Sequence, residues 1–177
     1  MPDVYMQAVG GGTGPIALDK GFREMQEHMQ EIGLSASEIK LPRLILAQQD
    51  LCDPMVQAWE KAKANGFPSN FENDYPVIPN PPTSVFILSA GNPGMYPVVA
   101  RIVKKSDGDF LRIKEAELTD FARIVYKEKN IRIGPAATVC FAGFYQALKE
   151  NKIRDGETVV INIGESGKRY PDFTGKL

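Results

Sequence analysis

The sequence is poor in the residues from which most metal and acid–base sites are built. It has one histidine, two cysteines and one tryptophan in 177 residues. Cys52 and Cys140 stand far apart, with no Cys-x-x-Cys pair and no Cys/His grouping, which argues against a metal site and for a reducing compartment. His28 sits among Gln26, Glu27 and Gln30 with nothing nearby to orient it, so it reads as a surface residue rather than a base. Charge is nearly balanced, 21 Lys and Arg against 22 Asp and Glu. That balance leaves no basic footprint for nucleic acid or an anionic membrane. With no leader-like segment and no apolar run long enough to span a bilayer, the expectation is a soluble, cytoplasmic protein.

What is present is glycine in one place. Gly10, Gly11, Gly12 and Gly14 fall within five residues, after an apolar run and before a helical pattern. Such a loop lets the backbone approach a ligand closely, and the free amides of the helix that follows make an anion site, most often for phosphate. Thr13 adds a hydroxyl donor, and Pro15 suits a first helical turn. A plain strand-to-helix turn needs one glycine or two; four favour phosphate. The nucleoside triphosphate loop is excluded because no lysine follows Gly14 until Lys20. The dinucleotide fingerprint fails because its third glycine would fall at Pro15.

A hydrophobic content of 43% allows one sizeable core, expected as a single α/β domain over residues 1–177. Val4 to Val9 reads as a strand and Ile16 to about Gln30 as a helix with Leu18, Phe22, Met25 and Met29 as its buried stripe, stopped by Gly33. The apolar run from Leu41 to Gln48 has the pattern of a strand covered on both faces. Asp53-Pro54 opens a helix as N-cap and first-turn proline, with Val56, Trp59 and Ala62 or Lys63 inward, and Asn65-Gly66 ends it. Phe67 to Thr83 holds five prolines and reads as a long ordered connection. Ser84 to Ser89 is expected as a short strand, followed by a helix with Asn92 as N-cap and Pro93 first, and Pro97 early enough to be tolerated. A strand from Asp109 to Ile113, a helix from Glu115 to Lys129, a helix from Ala136 to Glu150 opened by Gly134-Pro135 and a strand from Thr158 to Ile163 complete the chain.

Strands alternating with helices in this way predict a three-layer α/β/α fold with a mostly parallel sheet. Ligands in such sheets sit beyond the carboxyl ends of the strands. The loop after Val9 and the loop Gly164-Glu165-Ser166-Gly167 both occupy that position. The simplest ligand touching both is a phosphorylated cofactor.

Several segments also carry a family resemblance. Gln7-Ala8-Val9-Gly10-Gly11-Gly12-Thr13-Gly14, Gly21-Phe22-Arg23-Glu24, Leu41-Pro42-Arg43-Leu44 through Gln48, Gly91-Asn92-Pro93, Gly134-Pro135-Ala136-Ala137, Phe141-Ala142-Gly143 and Asp155 to Val160 occur in order from about Pro2 to Asp172. Together they resemble the C-terminal, cofactor-domain portion of fold-type II pyridoxal phosphate enzymes of the threonine synthase family. Leu41-Pro42-Arg43, Ala47-Gln48 and Asn162-Ile163-Gly164 look more like the cysteate synthase branch.

The resemblance implies a tryptophan synthase β-like fold and pyridoxal 5′-phosphate as cofactor. It further implies a phosphorylated amino acid as substrate, eliminated and then replaced at Cβ, in an enzyme that could assemble as a homo-oligomer. The cofactor-binding residues it implies are Gly10, Gly11, Gly12, Thr13 and Gly14 around the phosphate, and Gly164, Glu165 and Ser166 near the pyridine ring. O-phosphoserine with sulfite is favoured; threonine synthesis from O-phosphohomoserine and a non-catalytic phospholigand-binding module are the alternatives. The sequence departs from the family in two ways. The family's Schiff-base lysine precedes the glycine loop, where only nine residues stand here, so no catalytic residue is assigned. Where threonine synthases place a hydroxyl residue near the ring nitrogen, this sequence has Gly164, with Glu165 and Ser166 beside it.

Overall fold

The computed structural model describes residues 1–35 and 39–175. Four strands form one parallel sheet in the order β3-β2-β1-β4: β1 Val4–Ala8, β2 Arg43–Gln49, β3 Asp109–Ile113 and β4 Val159–Ile161. The helices are α1 Thr13–Glu31, α2 Pro54–Ala64, α3 Tyr96–Lys105, α4 Leu118–Lys129, α5 Pro135–Lys149 and the short α6 Pro171–Thr174. The three-layer α/β/α arrangement expected from the alternation is the one found.

Each face of the sheet carries its own core. On one face Val4, Met6, Ile45, Ala47, Leu111 and Ile113 pack under α5, with α4 behind it. Gly143 allows this close approach, since a Cβ there would lie 3.1 Å from Cβ of Ala47. On the other face Leu44, Leu46 and Phe110 meet Met55, Val56 and Trp59 of α2 and Val99, Ala100 and Val103 of α3. Six of the seven β2 residues are buried, as a strand covered on both sides requires. The inward residues expected on α2 are Val56, Trp59 and Ala62, while Lys63 faces out to Asp109.

Several elements differ from their sequence expectation. The stripe on α1 is only partly covered: Leu18, Phe22 and Met29 are half-buried and Met25 is exposed. The helix packs against α3 and turns Pro15 and Asp19 inward instead. Ser84 to Ser89 is no strand; Phe86–Leu88 forms a 3-10 turn. Its buried residues, Val85 and Leu88, are three apart, which suits a 3-10 turn and not the period of two of a strand. Helix α3 begins at Tyr96, not Pro93, and Tyr96 N donates to Pro93 O at 2.7 Å. The later start puts Pro97 in the first turn, where its missing amide costs nothing. Glu115–Glu117 is a separate 3-10 turn ahead of α4, and β4 is three residues long rather than six.

Candidate functional site

The two glycine-flanked loops leave the same end of adjacent strands. β1 and β4 pair in parallel, Met6 opposite Ile161, and Asn162 N extends the ladder to Met6 O at 2.9 Å. The strands are therefore about 4.8 Å apart where the loops begin. Asn162 Nδ2 also holds Tyr5 OH at 2.9 Å, tying the root of the terminal loop to β1.

The first loop is built by a conflict between strand and helix that glycine resolves. Gly12 is the N-cap of α1 with φ +99°, a conformation costly for any L side chain. A Cβ there would lie 2.6 Å from Cγ2 of Val99. At Gly10 a Cβ would lie 3.2 Å from Cα of Leu88 and 3.3 Å from the Ile87 carbonyl oxygen, and at Gly14 it would run into the Gln7 side chain. Gly11 and Thr13 face solvent. Among the described residues, none of the amides of Gly10, Gly11, Gly12, Thr13 and Gly14 is donated to another group, and no side chain caps the helix. Five unclaimed amides at the start of a 19-residue helix make a cradle able to take an anionic oxygen cluster.

A buried glutamine fixes the entry to that loop. Gln48, fully buried at the end of β2, donates Nε2 to the Val9 carbonyl at 3.2 Å. Its Oε1 accepts from the amides of Met55 at 3.0 Å and Val56 at 3.3 Å. Gln48 thus performs the capping of α2 expected of Asp53. Asp53 caps no amide; its carboxylate holds Gln57 Nε2 at 2.7 Å and the Arg112 guanidinium.

The terminal loop is pinned to α5. Glu165 Oε2 accepts from Ala136 N at 2.6 Å, Glu165 O accepts from Gly134 N at 3.0 Å, and Ser166 bridges to Ile133. A carboxylate is favoured at this helix N-terminus. Gly134 is required beneath it, because a Cβ there would collide with Glu165 Oε2. Among the described residues Glu165 Oε1 is buried with no hydrogen bond of good geometry, and the carboxylate, close enough to the Tyr170 hydroxyl to take its proton in a hydrogen bond, raises the Tyr170 pKa. Gly164 and Ser166 face solvent, and Ser166 Oγ accepts from Lys168 N at 3.3 Å, leaving its proton to donate. Neither cysteine offers a nucleophile: burial raises the Cys52 pKa and pushes that of Cys140 up to about 12. His28 is exposed and lies beside Glu31 at 3.6 Å, on the outer surface of α1. No helix among the described residues is long and apolar enough to cross a membrane.

The sequence reading missed Gln48 as a cap, Gln7 beneath Gly14, and the turn that flanks Gly10. For Gln48 a signal was available: a glutamine ending an otherwise continuous apolar strand must find partners when buried.

Comparison with known proteins fits this geometry. The family model described as pyridoxal-phosphate dependent enzyme matches residues 1–164. The cysteate synthase of Methanocella arvoryzae is 32% identical over 172 residues, covering 95% of this chain and 39% of its own length. That of Methanospirillum hungatei is 26% identical over 167 residues, covering 94% and 38%. The chain therefore spans about two fifths of the curated relatives it matches. Among solved structures, an L-serine ammonia-lyase from Rhizomucor miehei superposes with TM-score 0.60 at 14% identity, over 99% of this chain and 50% of that one. Maize serine racemase gives 0.55 at 16%, over 99% and 49%. The match over residues 1–164 places the chain in the pyridoxal-phosphate dependent enzyme family, with the fold-type II α/β architecture of that family.

Proposed function

We propose that this chain forms the cofactor-binding part of an enzyme that eliminates phosphate from a phosphorylated amino acid and replaces it at Cβ, in the manner of a cysteate synthase. The observation that carries the reading is the cradle of five unclaimed amides, in a family that binds pyridoxal phosphate and beside curated relatives named cysteate synthase. Bound there, the cofactor would supply an electron sink for charge developing at the amino-acid Cα.

The chain's own residues have binding and orienting roles in this reading. The amides of Gly10, Gly11, Gly12 and Gly14, with the amide and hydroxyl of Thr13, hold the cofactor phosphate. Gly164 leaves the ring side of the terminal loop open. Ser166 presents a neutral hydroxyl to the ring nitrogen, while Glu165, whose carboxylate is spent on the start of α5, anchors the loop. A neutral partner leaves the nitrogen unprotonated and limits delocalisation, which suits elimination and replacement at Cβ. No residue here is assigned the covalent role.

Two experiments test this. The complete enzyme is given O-phosphoserine with sulfite and, separately, O-phosphohomoserine, and phosphate release and product are measured. Cysteate from the first is expected. Threonine from the second without cysteate would overturn the branch assignment, and no phosphate release from either would overturn the reaction class. For the loop, Ser166→Ala is expected to shift the absorption of the bound cofactor and lower turnover about fivefold, the worth of one hydrogen bond. Glu165→Gln keeps an acceptor for Ala136 N and should leave the spectrum unchanged. The opposite pattern would make Glu165 the ring partner.

A further inference from the structure

The glycine loop is held from several sides. Val9 donates its amide to Ala47 O at 2.9 Å and gives its carbonyl to Gln48, while Gly12 is backed by Val99 of α3. Between them Gly10 makes no backbone hydrogen bond among the described residues. It rests on the backbone of the 3-10 turn Phe86–Leu88, at the contacts with Leu88 Cα and the Ile87 carbonyl given above. The position of Gly10 therefore follows that of the turn.

The turn in turn is set by side chains from the ends of β2 and β3, which meet at Thr83. The Thr83 hydroxyl donates to Glu115 Oε2 at 2.5 Å and accepts from Val85 N at 3.1 Å and Gln49 Nε2 at 3.3 Å. Gln49, the last residue of β2, also brings Nε2 to 3.4 Å from Leu88 O. Glu115 follows β3. Its Oε1 takes the Ser84 amide at 2.7 Å and the Ser84 hydroxyl at 2.6 Å, and its own amide donates to Asp50 Oδ1 at 2.9 Å. Thr83 is only 5% exposed, so its bonds are made away from water, where a carboxylate acceptor is strong.

Val85 and Leu88 pack into the core and so fix the depth of the turn. Apolar contacts have no direction; the hydrogen bonds through Thr83 and Glu115 supply it. A cradle of amides needs that precision, because its donors must converge on one anion to within about 0.5 Å. We propose that Thr83 and Glu115 are positioning residues of the cradle, acting on the loop through the backbone of the turn and not on the ligand itself. The proposal rests on the cofactor reading above, because it takes the cradle as the seat of the phosphate.

The test separates positioning from stability. Inorganic phosphate is titrated into the cofactor-free full-length protein and its variants, with thermal melts alongside. Thr83→Val keeps the side-chain shape and removes the hydroxyl; it and Glu115→Ala are each expected to weaken phosphate roughly fivefold, the worth of one hydrogen bond. The double variant should lose no more than about twofold beyond either single one, because both remove the same link. Thr83→Ser keeps the hydroxyl and should bind as the parent does. Glu115 is half-buried, so its alanine variant should fold even if Thr83→Val does not. Ser106→Ala is the control. It strips Leu44 N of its 3.1 Å partner at the opposite end of the sheet, so it should lower the melting temperature and leave phosphate affinity unchanged. Parent-like phosphate affinity in Glu115→Ala and Thr83→Val, with Gly12→Val still weakening it, would overturn the positioning role and spare the cradle. No phosphate binding by the unaltered protein would overturn the cradle and the positioning role with it.

Discussion

Gly12→Val should destabilise the fold by about 3 kcal/mol, from strain at positive φ together with overpacking, and weaken binding of any phosphate ligand at the cradle by at least tenfold. Two independent features lead to this value. Gly12 stands at φ +99°, which a β-branched residue tolerates poorly, and its Cβ would press on Val99 at 2.6 Å and on the Met55 methyl at 3.3 Å. Both neighbours are fully buried, and while the Met55 methyl can swing aside, the stiff Val99 side chain cannot clear the position without moving α3. Relief by flipping the backbone would turn the Gly12 and Thr13 amides away from their present direction. Gly11→Ala provides the control: nothing lies within 4 Å of a Cβ there, so stability should barely change. Urea unfolding of both variants, with calorimetric titration of phosphate ligands, checks the contrast. A Gly12→Val protein as stable as the parent and still binding would mean that the loop has another resting conformation.

Gln48→Leu should cost about 3–5 kcal/mol, because it strands several buried polar groups at once. The leucine nearly matches the volume but leaves the Met55 and Val56 amides and the Val9 carbonyl without their present partner. All four residues are buried, so water offers little compensation. The effect should reach beyond stability. Val9 is the last residue before the glycines, and freeing its carbonyl lets the loop entry drift. Hydrogen exchange at the Val9 amide, held by Ala47 O at 2.9 Å, is expected to speed up in Gln48→Leu even under conditions where the protein remains folded. Exchange as slow as in the parent would confine Gln48 to a capping role at α2.

The parts that could be read from the sequence were those governed by local chemistry. The continuous apolar run of β2, the glycine loop ahead of α1, Pro54 and Pro135 at helix starts and Gly33 at a helix end all carry their structural reason within a few residues. The layer order followed from alternation, and the placing of both loops at one sheet end followed from parallel pairing. What escaped was set by distant partners. Asp53 has every local feature of an N-cap, but Gln48 reaches the amides first and Arg112, 59 residues away, claims the carboxylate. Ser84 to Ser89 has apolar residues enough for a strand, yet Glu115 and Gln49 fold it into a turn. Met25 fits the α1 stripe by period, but α1 rests on α3 with another side, and Met25 stays exposed among the described residues.

The pairing of β1 with β4 bears on how this chain acquires its shape. Asp3 and Val4 amides both meet the Thr158 carbonyl, so β1 depends on a strand far along the chain, β4, to cover its outer edge. Closing a loop of that span adds only a slowly growing entropic cost, but such non-local contacts slow folding. Until then β1 can pair with β2 alone and its other edge offers free amides and carbonyls to any neighbouring chain. Refolding should therefore pass through a species with α1 and α2 in place and the terminal loop undocked, prone to self-association at high concentration. A ligand that touches both loops would draw that species forward, binding late and holding β4 to β1.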